Sequence, residues 1–271
     1  MKRRTWLIGS AVVVAGTVSV SALWAVRGPE WKAPGAVNRP EVVADHPDPI
    51  VSDHPDVIAP VLTAEYVRPS HSAEDWVTYA DHAVVVSVRS QSEIPPSRKE
   101  IDKGAGVIGR EVVLRTEQVL WSRPGMERKV PERWKRQVQG WHFEGDPSRR
   151  ASARVSGEPR LEPGHRYVLA LHWSEARCAK GAEREPASWD PVGDGAMLPF
   201  DGGTLGNGEH EGGIREVPRV EGKPPTSLDG ASLAERLHGR TADLLVAELT
   251  AAKPGEREYG PEPAPCPGKR G

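Results

Sequence analysis

The chain has 271 residues, a formal charge of −2, 28 glycines and 26 prolines. Setting aside the four basic residues that flank its apolar N-terminal run leaves 32 basic against 38 acidic residues, a net charge of −6 with the signs interspersed. This excludes the basic face with which nucleic-acid binders gather phosphates, and the density of turn formers excludes an architecture of long helices.

Lys2, Arg3 and Arg4 precede an uncharged run, Thr5 to Val26, which Arg27 closes. A helix of roughly 22 residues is about 33 Å long, enough to cross a hydrocarbon core. Trp6 and Trp24 fall near its ends, where indoles favour the interface. Residues 1–4 are therefore expected in the cytoplasm, residues 5–26 across the membrane, and the rest of the chain outside, in the cell membrane as a single-pass protein. The second fate open to this stretch is cleavage as a signal peptide at Val20-Ser21-Ala22, which would make the protein secreted. The run is longer than an ordinary signal core, which favours retention. No cysteine follows it directly, so a lipid anchor is not expected.

Residues 27–60 read as a Pro-rich linker, because Pro34, Pro40, Pro47, Pro49, Pro55 and Pro60 interrupt both helix and sheet. Asp45-His46-Pro47-Asp48 recurs as Asp53-His54-Pro55-Asp56. Without a cysteine, a third histidine or a rigid frame, the repeat reads as two solvated turns rather than a metal site.

The composition changes at Val61, where a β domain of residues 61–225 is expected. Ser72-Ala73-Glu74-Asp75 resembles a capping box that opens a short helix through Trp76 and Tyr79. Ala83–Val88 is a β-branched run, hence a strand buried on both faces, ended by Ile94-Pro95-Pro96 and followed by a charged loop to Gly109. Arg110–Trp121 is the second strand, with Val112, Leu114 and Thr116 on one face. Trp134–Phe143 is a weaker strand, and Asp146–Pro159 reads as a mobile loop. Glu162-Pro163-Gly164-His165 has the signature of a type II turn leading into the clearest strand, Tyr167–Trp173, in which His172 is expected to face outward. Trp189-Asp190-Pro191, a short strand Ala196–Phe200 and a Gly-rich stretch Asp201–Gly213, read as either exposed or a tight hairpin region, follow. Residues 226–255 form a helical segment whose Leu233, Leu237, Leu244, Leu245 and Leu249 share a face, broken at Gly239 and restarted by Thr241 as N-cap. Residues 256–271 read as a disordered tail.

The succession Tyr79-Ala80-Asp81-His82, then Ala83–Val88, Val112–Trp121 and Leu161–Leu169 resembles the pattern of small OB-like barrel domains in exported bacterial proteins of unassigned function. It is distantly similar to the netrin-like barrel of metalloproteinase inhibitors. The resemblance implies a mainly β fold, a small OB-like barrel with flanking short helices, over roughly Ala80 to Phe200. Those inhibitors chelate the protease metal with an N-terminal cysteine and carry several disulfides. This chain has only Cys178 and Cys266, so inhibition is not carried over.

Outside the membrane, a single pair such as Cys178 and Cys266 fits a disulfide, with an intermolecular bond as the alternative. His142, His165, His172 and His82, with Asp81, Asp190 and Asp194, supply metal-type donors, but no H-x-H or H-E-x-x-H spacing unites them. No G-x-S-x-G or phosphate-loop motif occurs, and no cofactor is implied. Trp121, Trp134 and Trp141 are candidate recognition aromatics, weighed against the commoner role of filling a core. The chain is thus expected to be a non-catalytic extracytoplasmic domain for protein or cell-envelope interaction, held at the membrane through residues 5–26. The alternative is an envelope enzyme, metal-dependent or hydrolytic, built on His142, His172 or Asp190.

Overall fold

A computed structural model describes residues 61–62, 68–178, 184–222 and 230–258, with residues 61–62, 177–178 and 184–185 described through their backbone alone. They all belong to one unit, Val51–Gly271. The apolar run of residues 5–26, the linker of residues 27–60, Cys266 and the end of the tail lie outside the described residues. Among the described residues no helix is long and apolar enough to cross a membrane.

The fold is mainly β with short helices. In chain order the elements are β1 (Val61–Leu62), α1 (Ala73–Tyr79), β2 (His82–Ile94), α2 (Arg98–Lys103), β3 (Ala105–Ser122), β4 (Arg133–Glu144), β5 (Arg150–Ser152), β6 (Arg154–Val155) and β7 (Arg166–Ser174). The short strands β8 (Arg177–Cys178), β9 (Arg184–Glu185), β10 (Ser188–Pro191), β11 (Met197–Pro199), β12 (Gly208–His210) and β13 (Gly213–Arg215) follow, then α3 (Leu233–Leu237) and α4 (Ala242–Ala251). The main sheet runs β10-β7-β2-β3-β4-β5, and β11 also pairs with β7. Every ladder in it is antiparallel.

The alternation of side chains on β2 and β7 explains why both strands read as continuous apolar runs. Val84, Val86, Val88, Tyr167, Leu169 and Leu171 face one core together with Leu114, Trp134, Trp189 and Met197. Ala83, Val85, Val168 and Ala170 face the other, under Trp76 of α1, Leu233 and Leu237 of α3, and Leu245 and Leu249 of α4. The first core gathers residues from β2, β3, β4, β7, β10 and β11, nearly the full width of the sheet, so the sheet wraps around it. Three register shifts in the β2–β3 ladder supply the extra bend. A fourth irregularity falls where Ile108 pairs with Trp141 and Gly109 with Gln139, leaving Gly140 as the extra residue. A Cβ on Gly140 would stand 2.3 Å from the Ile108 carbonyl oxygen, so only glycine fits there.

The capping box at Ser72 is present: its hydroxyl accepts from the Asp75 amide at 3.0 Å, and the Asp75 carboxylate accepts from the Ser72 amide at 2.9 Å. Gly164 takes a φ of +89° in the turn before β7. Two expectations need correction. The loop expected before Gly109 contains α2, with its own capping box at Ser97 and Glu100 and a left-handed Gly104 as its stop. The segment expected to be a mobile loop, Asp146–Pro159, carries β5 and β6, which join the edge of β4 and pair with β1. The Gly-rich stretch takes the second of its two expected forms: it leads into the tight β12–β13 hairpin, with Leu205 and Glu209 buried. Thr241 is the N-cap of α4, as expected, though its side chain makes no capping bond; α3 has its own capping box at Ser232, whose hydroxyl accepts from the Glu235 amide.

Candidate functional site

The three tryptophans singled out as recognition aromatics lie in three separate regions. Trp134 is buried in the core enclosed by the sheet and donates from Nε1 to Thr116 Oγ1 at 3.2 Å. Trp141 is buried beside Ile108 and Phe143, with the guanidiniums of Arg150, Arg160 and Arg110 at 4.4, 5.7 and 5.9 Å from its ring centre. Trp121 is half-buried near the end of β3, against the helical layer. Cys178 lies on β8.

His172 is buried rather than outward-facing, because β10 and Arg68 cover it. It lies opposite Asp190 in the β7–β10 ladder. Arg68 Nη1 reaches His172 Nε2 at 2.8 Å, and a guanidinium can only donate. The ring proton therefore sits on Nδ1, 3.5 Å from Ser174 Oγ. A serine nucleophile would need a bare nitrogen at that position, so this set lacks the base that would activate Ser174. Asp190 accepts from Arg136 Nη1 at 2.8 Å and from Ser188 Oγ at 2.7 Å. Burial works to raise its pKa, but Arg136 and the Ser188 and Ser174 hydroxyls outweigh that and hold it below the usual carboxylate value. The cluster thereby ties β10, one edge of the sheet, to β4 near the other.

His142 does not join it. It sits on β4 opposite Val107 and Ala151, six residues beyond Arg136, roughly 20 Å along a strand. The other predicted donors are engaged elsewhere: His165 with Asp201, His82 with Ser122 and the Arg128 carbonyl, Asp81 with Arg123, and Asp194 with Ser70 and His71. Among the described residues no group of three or more histidine, cysteine or acidic side chains is placed to hold a metal ion.

A polar network fills the space between β3, β4 and the segment before β7. Arg110 is fully buried and donates to the Gln139 carbonyl at 3.0 Å, to Gln91 Oε1 at 2.5 Å and to the Arg160 carbonyl at 2.5 Å. Glu162 lies 3.3 Å from Arg110 and 2.9 Å from Arg160. Burial, helped by the charge of Arg160, brings the Arg110 pKa down to about 10, so it stays cationic at neutral pH. Glu209 is also buried; it accepts from the backbone amides of Arg160, Leu161 and Gly212 at 3.1, 3.2 and 2.7 Å, and from the Tyr167 hydroxyl at 2.7 Å. Burial and the adjacent Glu209 push Tyr167 well above an ordinary phenol. The Arg160 and Leu161 amides, both donating to Glu209, hold buried Leu161 at a φ of +60°, in the left-handed region.

Over this network lies a cleft of about 440 Å³, walled by Arg136–Gln139 of β4 on one side and by Val155, Arg160, Leu161 and Met197 on the other. Among the described residues, 133–138 of β4 pair with β3 alone, because β5 reaches only Trp141, His142 and Phe143. Among the described residues β11 pairs only with β7. Two strand edges without ladder partners among the described residues thus border the cleft.

The sequence held one signal for this site. Arg110 shares the alternation of Val112 and Leu114, which places a charge on a buried face. Glu209 gave none, since it stands alone in a Gly-rich stretch. Comparison with protein-family models, curated proteins and solved structures finds no match for this chain.

Proposed function

We propose that this chain is a membrane-tethered extracytoplasmic domain that acts by binding, without catalysis, and that its ligand is an extended polypeptide segment of a protein or cell-envelope partner. In this reading residues 5–26 span the membrane, residues 27–60 are the spacer, and the sheet is an OB-like barrel left open along one seam. The strand order supports the barrel: the spatial order β11-β7-β2-β3-β4 is that of a five-stranded Greek-key barrel in which the first strand pairs with the second and the fourth, and the last would close on the third.

The observation that carries the binding reading is the unpaired edge of β4 at residues 133–138, set in a cleft open to solvent. Exposed strand edges recruit extended segments through main-chain hydrogen bonds, with alternate side chains supplying specificity. Gln137 and Gln139, both exposed on β4, would flank such a segment. The test is a photo-crosslinking residue placed at Gln137 in the full chain in its native membrane, with the same residue at Arg98 on α2 as control. A discrete adduct from position 137 alone, mapping to an extended stretch of one polypeptide, is expected. No adduct, or the same adducts from both positions, would overturn the reading.

A further inference from the structure

A second cleft, of about 520 Å³, lies between α1, the end of β3 and the residues after α4, well separated in the fold from the β4 edge. Its apolar wall is formed by Val77, Trp121, Leu249 and Pro254, and two guanidiniums, Arg123 and Arg257, line it as well. Both are held by carbonyls at the end of α1: Arg123 donates from Nε and Nη2 to the Ala80 carbonyl at 3.1 and 2.6 Å, and Arg257 from Nε to the Thr78 carbonyl at 3.1 Å. The helix end orients the two cations, and their charges repel: Arg257 adds to the effect of burial in lowering the pKa of Arg123.

Asp81 is the carboxylate that pairs with Arg123, and it is committed. One of its oxygens lies 3.2 Å from Arg123 Nη2, and the other accepts from the Trp173 amide at 2.8 Å. Among the described residues Arg257 has no carboxylate within ion-pair distance. The cleft's own lining thus holds two cations and no carboxylate beside an apolar wall, with Glu74 standing beyond Gly255 at its edge. Capping of α1 accounts for the Nε contacts, but not for a second guanidinium brought into the same cleft as the first, along with Trp121 and Leu249.

We infer that this cleft binds a small amphipathic anion, with its carboxylate or phosphate between Arg123 and Arg257 and its alkyl or aryl body against Trp121 and Leu249. Charge complementarity selects the head, the apolar wall selects the body, and the volume falls within the range of small-molecule sites. Such a group comes either free in solution or as part of an anionic membrane lipid. The inference does not depend on peptide binding at β4, because the two sites share no residue.

The test uses the full chain in nanodiscs of zwitterionic lipid and a diazirine-bearing octyl phosphate, with adducts located by peptide mass spectrometry. Labelling is expected within residues 121–124 and 249–257. It should fall about tenfold in R257Q, recover in R257K, and remain unchanged in R98Q, where an exposed arginine on α2 is altered. Diazirine-bearing octyl glucoside, which lacks the charge, should leave these peptides unlabelled. The same diazirine carried on an anionic phospholipid of the nanodisc separates the sources. Labelling of the cleft by that lipid assigns the site to the membrane, and labelling by the free probe alone assigns it to a soluble ligand. Equal labelling by phosphate and glucoside probes, or an undiminished R257Q, would overturn the inference.

Discussion

Replacing Glu209 by glutamine keeps the size of the side chain and changes only its charge and one acceptor, so it measures what the carboxylate contributes. Glu209 Oε1 accepts from the Arg160 and Gly212 amides, and Oε2 from the Leu161 amide and the Tyr167 hydroxyl. In E209Q one of these oxygens becomes an NH2 that meets donors. With the amide oxygen on the Arg160 side, the Leu161 N–H is left buried without an acceptor, which costs about 1–3 kcal/mol. The remaining bonds lose the charge assistance that makes them roughly twice as strong as neutral ones, and the buried cations Arg110 and Arg160 lose a neighbouring anion. Together these give a destabilisation of about 3 kcal/mol, or roughly 6–12 °C in Tm for a domain of this size. Leu161, no longer held at positive φ, should also relax toward ordinary backbone. Denaturant unfolding followed by circular dichroism, with hydrogen exchange at Leu161, measures both effects. A loss below about 1 kcal/mol, with protection at Leu161 unchanged, would refute the assignment of Glu209 as the anchor of this network.

Three further outcomes follow from the same structure. G140A places a Cβ 2.3 Å from the Ile108 carbonyl, where backbone must move, so a loss of about 2 kcal/mol or more is expected in chemical denaturation. S72A removes the hydroxyl that accepts from Asp75 and should cost about 1 kcal/mol by the same measurement. His210 is shifted below the ordinary imidazole value, by burial first and then by Arg215. The unfolded chain therefore binds its proton at higher pH than the fold does, so its contribution to stability is complete above about pH 6.5 and declines as pH falls toward the folded pKa. Thermal scans between pH 7 and pH 5 should show Tm falling, and H210N should flatten that slope.

A good part of this fold is legible in the sequence because its signals are local. The capping box at Ser72, the turn at Pro163-Gly164 and the apolar periodicity of Leu233 to Leu249 each depend on neighbours within a few residues, and each sits where the pattern puts it. The β-branched run at Ala83–Val88 announces a strand buried on both faces, and the two cores on either side of β2 are the reason. The strands expected at Arg110–Trp121 and Trp134–Phe143 are present with longer bounds, since ladder hydrogen bonds extend pairing into polar residues that carry no apolar period.

What tertiary structure decided was the meaning of the polar residues. His172 reads as outward-facing from its alternation alone; β10 and Arg68 arrive from elsewhere in the chain to bury it. Glu209 is unremarkable in a Gly-rich stretch until the fold brings three backbone amides and a phenol to its carboxylate. Arg123 and Arg257 are 134 residues apart, and only the packing of the chain beyond α4 against α1 sets them side by side. Sequence patterns report the hydrophobic period, because burial of apolar surface recurs with the geometry of helix and strand. They do not report which distant charge a given charge will meet, and in this protein those meetings make both candidate sites.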